Sequence, residues 1–190
     1  MRVISGFVKG KKLLSSKDKT IRPTTDKVKM AIFNVLEHGK INFSLNNTNI
    51  LDLFSGSGSL GIESLSRGAA HCLFIDRSKE SHAICLKNLE NCNLLEKAQN
   101  IIFDISQKKK FLSKKKFDLI IADPPYNKDY IKNIFGFITK NNLIVKNGLV
   151  VIEEDKKAII EVEENFELLD KRIYGSSQVL FFQYRLDPLK

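Results

Sequence analysis

The run Asp123-Pro124-Pro125-Tyr126 places a carboxylate, two ring-locked residues and an aromatic in consecutive positions. It follows Phe117-Asp118-Leu119-Ile120-Ile121-Ala122, a short apolar run that predicts a buried strand. In an open α/β sheet the carboxyl ends of the strands are where ligands bind. The prolines fix φ twice and remove two backbone donors. The loop therefore presents acceptors, the Asp123 carboxylate and nearby carbonyls, with the Tyr126 ring beside them. Such a loop suits an amino group on a flat base, which offers N–H donors and a face for stacking. A turn that merely closes a strand is the alternative, and a second motif upstream weighs against it.

That motif is Ile50-Leu51-Asp52-Leu53-Phe54-Ser55-Gly56-Ser57-Gly58-Ser59-Leu60-Gly61, an apolar strand leading through G-x-G-x-x-G into a helix-like segment. Gly56 and Gly58 are expected to let backbone approach a ligand, and the helix start favours polar groups. A second strand, Cys72-Leu73-Phe74-Ile75, ends in Asp76, at the offset of a ribose-binding carboxylate. The glycines alone would equally suit a nicotinamide dinucleotide. Asp52 before the glycines and the Asp-Pro-Pro-Tyr loop turn the reading toward S-adenosylmethionine and methylation of an amine. Asp104, after Ile101-Ile102-Phe103, is a candidate for the adenine amino group, or a helix cap. Asp123 and the Pro124 carbonyl could accept the two N–H bonds of the amine and hold it in line with the methyl group. Tyr126 would stack on the base.

These motifs need an alternating scaffold, and the chain supplies one. A basic, β-prone arm over 1–22 leads to a helix with Val28, Ala31, Ile32, Val35 and Leu36 on one face, capped by Thr24 or Thr25. Then follow strand 50–54, helix 60–67, strand 72–75, helix 79–92, strand 100–103, strand 117–122, helix 128–139 and strand 149–153. Phe166 to Tyr174 and Val179 to Tyr184, around Gly175-Ser176-Ser177, predict an antiparallel hairpin. The expected fold is α/β, a mostly parallel sheet ending in that hairpin. Two parts are expected: a basic extension, 1–40, packed on a core domain, 41–190.

At 190 residues, 43% hydrophobic and 28% charged, the composition is that of a soluble globular chain. No apolar run nears the roughly 20 residues that span a bilayer, and Met1 to Gly6 lacks a signal-peptide core. Cys72, Cys85 and Cys92 form no C-x-x-C and are expected as buried free thiols. His38, His71 and His82 suggest no metal site. The expected compartment is the cytoplasm.

The net charge of +9 is segregated. Residues 1–40 hold ten Lys/Arg against three Asp/Glu, 105–117 hold six Lys and no acid, and 153–170 hold eight acids and two Lys. Segregation of this kind suits a polyanion partner, although lysine runs can also be plain solvated surface. The arm is the stronger candidate for nucleic-acid contact; 108–116 is balanced between the two readings.

Several segments together resemble the RsmD family, bacterial 16S rRNA guanine-N2 methyltransferases. They are Arg2-Val3-Ile4-Ser5-Gly6 with Gly10-Lys11-Lys12-Leu13, Arg22-Pro23-Thr24 with Asp26-Lys27-Val28, Ala31-Ile32-Phe33-Asn34, Leu51 to Gly61 with Glu63 to Ala69, and Asp123 to Tyr126. The resemblance implies a class I, Rossmann-like methyltransferase fold, S-adenosylmethionine as cofactor, and rRNA or a small-subunit ribosomal particle as partner of a monomer. It implies catalysis at Asp123, Pro124, Pro125 and Tyr126. Cofactor contacts fall on Asp52, Phe54, Ser55, Gly56, Ser57, Gly58, Gly61, Asp76 and Asp104, and RNA contacts on Arg2, Lys9, Lys11, Lys12, Arg22 and Thr24. Two departures stand out. Asp76 replaces the family's usual Glu, and Lys9, Lys11 and Lys12 replace arginines, keeping charge but losing the bidentate fork. Rival readings are a DNA adenine-N6 or cytosine-N4 methyltransferase, a protein glutamine methyltransferase, a non-catalytic RNA-binding protein and a nicotinamide-linked dehydrogenase.

Overall fold

The computed structural model describes residues 1–16, 25–107, 109–125 and 130–186. Seven strands form one sheet in the order β3-β2-β1-β4-β5-β7-β6. The strands β1 (Asn49–Leu53), β2 (His71–Asp76), β3 (Ala98–Ile102), β4 (Phe117–Ala122) and β5 (Ile144–Asp155) run parallel. The hairpin strand β7 (Ser177–Tyr184) inserts antiparallel beside β5 and leaves β6 (Phe166–Tyr174) at the edge. The central strands are apolar on both faces because helices or loops cover both.

One face packs against α1 (Asp26–His38), α2 (Ser59–Ser66) and α3 (Lys79–Asn91), with Ile50, Phe74, Leu119 and Val151 in its core. The other packs against α4 (Tyr130–Lys140) and carries Leu51, Leu53, Ile120 and Ile152. Thr25 caps α1, its Oγ1 accepting from Val28 N at 3.2 Å. The buried stripe of α1 is Val28, Lys29, Ile32, Phe33 and Leu36. It is rotated from the expected one, because Lys29 joins it as a buried cation and Ala31 and Val35 stay half-exposed. Cys72, Cys85 and Cys92 are free and buried. Among the described residues no helix is long and apolar enough to cross a membrane.

The strand expected over 149–153 is longer, starting at Ile144. Ile144 pairs with Phe117 and Leu149 with Leu119, so residues 145–148 bulge out, with Asn147 at φ +60°. The hairpin turn is shorter than expected: Tyr174 pairs with Ser177, leaving Gly175 and Ser176 as the connection.

Over residues 1–16 the β-prone arm forms a tight loop, with one isolated antiparallel bridge among the described residues, between Arg2 and Lys12. Its backbone is pinned to α2. Glu63 accepts from Ile4 N at 2.7 Å and Ser5 N at 2.9 Å, and Phe7 N donates to Ser66 O at 2.9 Å. Gly6, at φ +83°, permits this approach: a Cβ there would lie 1.8 Å from Ser66 O. Val3 and Leu13 enter the same core as the sheet.

Beneath the arm, Lys29 and Glu63 are fully buried, 3.8 Å apart, and Lys29 Nζ donates to Arg2 O at 2.7 Å. Arg67 donates to Glu63 at 2.9 Å and also pairs with Glu37. Burial pulls Lys29 below the ordinary lysine pKa, opposed by Glu63. Removing the carboxylate would strand a buried ammonium and two backbone donors. Glu63→Ala is therefore expected to cost about 3–5 kcal/mol, read from the urea midpoint, whereas Lys29→Met should cost much less.

Candidate active site and cofactor cleft

Parallel register brings the chemistry-bearing loops to one level. Leu53 of β1 pairs with Ile75 on one side and Ala122 on the other, and Ala122 pairs with Ile152. One residue beyond this common rung the chain carries Asp76, Phe54, Asp123 and Glu153. The glycine turn, the candidate ribose carboxylate and the candidate catalytic carboxylate thus leave adjacent strands side by side. Asp123 is half-buried, Pro124 buried and Pro125 exposed. Glu153, which the sequence reading does not single out, is a buried acid next to Asp123 in register, 5% exposed.

Phe54 turns the chain at φ +57°, a left-handed conformation uncommon for a bulky residue and a recurrent source of strain at ligand sites. Its ring packs edge-on against Tyr130 with centroids 5.1 Å apart. Asp76 ties the turn to β2: Oδ2 accepts from Gly56 N at 2.9 Å and Oδ1 from Ser78 N at 2.8 Å. Each oxygen keeps a further lone pair, so ribose hydroxyls can still be accommodated.

Asp52 lies under the turn, 2% exposed, and Oδ2 accepts from Gly61 N at 2.9 Å. That amide is one of the first-turn donors of α2 with no intrahelical partner. Asp52 thus aims α2 and the glycine turn from below. Burial pushes its carboxyl up to about 7, against the Gly61 bond, which lowers it. The two thiols above it, Cys72 and Cys85, are pushed up by burial and by Asp52.

The glycines divide by role. A Cβ on Gly56 would meet open space, with only Phe54 O near, at 3.9 Å. A Cβ on Gly58 would meet Cys85 Sγ at 2.6 Å and Phe74 Cε1 at 3.3 Å, and one on Gly61 would meet Phe74 Cε1 at 2.3 Å. A side chain at Gly58 is excluded by the close packing of α2 on β2 and α3. Ser57 O accepts from Asn88 Nδ2 at 2.8 Å. Asn88, fully buried on α3, also brackets the arm, accepting from Leu14 N at 2.7 Å and donating to Leu14 O at 3.0 Å. Sequence reasoning missed it, although a polar residue on the helix face of Cys85 and Leu89 was a legible signal.

Beside the turn, an open cleft of about 540 Å³ is lined by Arg77, Ser78, Phe103, Asp104, Gln107 and Lys109, with Ile102 at its wall. Asp104 Oδ1 accepts from Ser106 Oγ at 2.7 Å and Ser106 N at 2.9 Å, which holds its carboxyl below the ordinary range. The residues fit an adenosyl cofactor: an unobstructed face at Gly56, carboxylates at the ends of β2 and β3, and Ser55 Oγ, buried with no partner among the described residues.

A family described as "Conserved hypothetical protein 95" matches residues 1–183 of this chain. The "Ribosomal RNA small subunit methyltransferase D" of Buchnera aphidicola subsp. Acyrthosiphon pisum is 31% identical over 180 residues, spanning 95% of this chain and 91% of that one. The chain belongs to the RsmD family. YlbH of Bacillus subtilis (strain 168) is 35% identical over 188 residues, covering 97% of this chain and 100% of its own. The solved structure of yhhF from Escherichia coli superposes with a TM-score of 0.83 at 25% identity, covering 98% of this chain and 99% of that one. The RsmD-family fold here is thus that of the S-adenosylmethionine-dependent methyltransferases.

Within this RsmD-family chain, Arg2, Lys9, Lys11 and Lys12 are exposed on the pinned arm, and Arg2 faces Asp26 at 3.8 Å. Arg22, Thr24 and Tyr126 lie outside the described residues. The cleft residues Arg77, Ser78, Gln107 and Lys109 were not foreseen, since their types and spacing carry no motif.

Two outcomes follow from this geometry. Gly58→Val should lower the melting temperature, because the side chain meets Cys85 and Phe74; Gly56→Ala, directed into open space, should weaken adenosylmethionine binding by calorimetry with a smaller loss of stability. Asp52 favours its neutral form when folded, so it stabilises the fold below its unfolded pKa of about 4 and loses that contribution as the pH climbs to about 7. Asp52→Asn has no such titration. Its melting temperature relative to wild type should rise across that window and level off above it.

Proposed function

We propose that this protein transfers a methyl group from S-adenosylmethionine to the exocyclic N2 amino group of a guanine in small-subunit rRNA. The observation that carries the reading is the common rung, which sets Asp123-Pro124 beside the glycine turn and Asp76. Relatives named as small-subunit rRNA methyltransferases over nearly the whole chain support the substrate class. The exposed basic arm suits an RNA partner better than a protein glutamine.

The cofactor would be held by the Phe54 to Gly58 turn, by Ser55, by Asp76 at the ribose and by Asp104 at the adenine edge. When bound, it supplies a methyl group on a cationic sulfonium. The residues of this chain do the remaining work. Asp123 accepts an N–H of the amine and favours the positive charge that develops on nitrogen, and the Pro124 carbonyl accepts the second N–H. A base amino group is a poor nucleophile because its lone pair is delocalised into the ring, so orientation is the main contribution. The proton can leave after methyl transfer, and Asp123 need not be a strong base. Tyr126 stacks on the splayed-out base. Asp52 and Asn88 act through the turn as positioning residues. Arg2, Lys9, Lys11, Lys12, Arg22 and Thr24 contact the RNA backbone from the arm.

Incubation with labelled adenosylmethionine and separated rRNA, tRNA and DNA, followed by mapping of the modified base, tests the reading. Label in DNA adenine or cytosine, or in protein, would overturn it. Asp123→Ala should reduce turnover about a hundredfold or more, on the order of 3 kcal/mol, with cofactor affinity near wild type. Near-normal turnover would remove Asp123 from the chemistry.

A further inference from the structure

The crossover from β3 to β4 departs from the rest of the sheet. Residues 103–116 contain no helix among those described, where the other parallel crossovers each carry one. The segment is nonetheless anchored. Phe111 is buried, 5.1 Å from Phe103 and 5.5 Å from Phe137 between ring centroids. Phe111 N donates to Asn141 Oδ1 at 2.9 Å, and Lys116 Nζ donates to Asn142 Oδ1 at 2.8 Å. Ser113 Oγ closes a local turn, donating to Lys115 O at 2.7 Å and accepting from Lys115 N at 3.2 Å.

What this anchoring presents is charge. Lys109, Lys110, Lys114 and Lys115 are exposed, and none forms an ion pair with a carboxylate among the described residues. Between them Leu112 stands 79% exposed. Holding like charges on an anchored segment costs repulsion that a freely moving loop would relieve, and a polyanion offsets that cost. The position matters as much as the charge. Lys109 lines the cofactor cleft with Arg77 and Asp104. Lys114 and Lys115 line a separate hollow of about 380 Å³ with His71, Gln99 and Leu112. His71 sits at the start of β2, and its Nδ1 is buried with no hydrogen-bond partner among the described residues. The segment leaves the carboxyl end of β3 and returns to the amino end of β4, so its lysines run the height of the sheet, about 15 Å for a five-residue strand.

We propose that residues 109–116 are a second RNA contact surface, separate from the N-terminal arm. On this surface Lys109, Lys110, Lys114 and Lys115 track the phosphate backbone away from the cofactor cleft, and Leu112 and His71 receive a sugar or base. The proposal rests on the rRNA-methyltransferase reading and supplies the path of the substrate beyond the reacting nucleotide. Phosphates along a single strand meet a row of point charges without geometric demand, which suits Lys.

The test uses the full chain and a 16S rRNA transcript. Lys110, Lys114 and Lys115 are changed together to Gln, and in a second variant to Arg. Binding is measured across a salt series, alongside adenosylmethionine affinity and methylation kinetics. The Gln variant should bind RNA more weakly and flatten the slope of log K against log salt by about 0.7 for each phosphate no longer neutralised, roughly two in all. It should raise KM for RNA more than it lowers kcat and leave adenosylmethionine affinity unchanged; the Arg variant should restore both slope and KM. A Gln variant with the wild-type slope and KM would overturn the proposal while methylation by the wild type upholds the function. RNA binding with the expected slope change but no methylation of any rRNA would overturn the function and keep the surface. A slope reduced only in a Lys9, Lys11 and Lys12 variant would assign the RNA-binding role to the arm alone.

Discussion

Three neighbouring strands must reach one level for the candidate site to come together. Ile75, Leu53, Ala122 and Ile152 form a single rung of the parallel ladder, and Asp76, Phe54 and Asp123 each follow on the next residue. A side-chain period of two makes the arrangement unforgiving: a slip of one residue would send Asp52 to the opposite face and exchange the two apolar cores. The alternation of Ile50 and Leu51 between those cores fixes the register. Asp52 then uses its inward direction to reach Gly61, coupling the strand to the helix that follows it.

Buried polar groups carry the connections between layers. Glu63 joins α2 to the arm, Asn88 joins α3 to both the arm and the glycine turn, and Asp76 joins β2 to that turn. Each acceptor takes backbone donors that would otherwise be unsatisfied in a packed interior. The arm, the glycine turn and the helices above the sheet are thereby tied together by buried polar groups laid over an apolar core.

Much of this architecture is legible in the sequence. The strands β1, β2 and β4 and helices α2 and α3 follow from apolar runs and the glycine turn, and they lie within a residue or two of where periodicity places them. The early start of β5 is not legible, because Lys146-Asn147-Gly148 reads as a connection and only the pairing of Ile144 with Phe117 makes it a bulge. Lys29 is also invisible as a core residue: its burial depends on Glu63, more than thirty positions away. At Gly58 spacing reports that a side chain is excluded without reporting that Cys85 and Phe74 exclude it. The candidate site divides the same way. Motif residues announce themselves, whereas Arg77, Gln107 and Lys109 reach the cleft only by the paths of their loops.

The arm also sets a constraint on the order in which this chain can be completed. Apart from Lys29, the side chains that its backbone meets lie 58 to 74 positions further along, at Glu63, Ser66 and Asn88. The arm therefore meets its partners on α2 before the one on α3, and its docking is complete only when Asn88 is in place. Contacts of such long span are costly to close early, and domains generally gather once their partners are available. Until then Val3 and Leu13 lack part of the core that covers them in the folded chain, and the basic arm is held less firmly to the sheet.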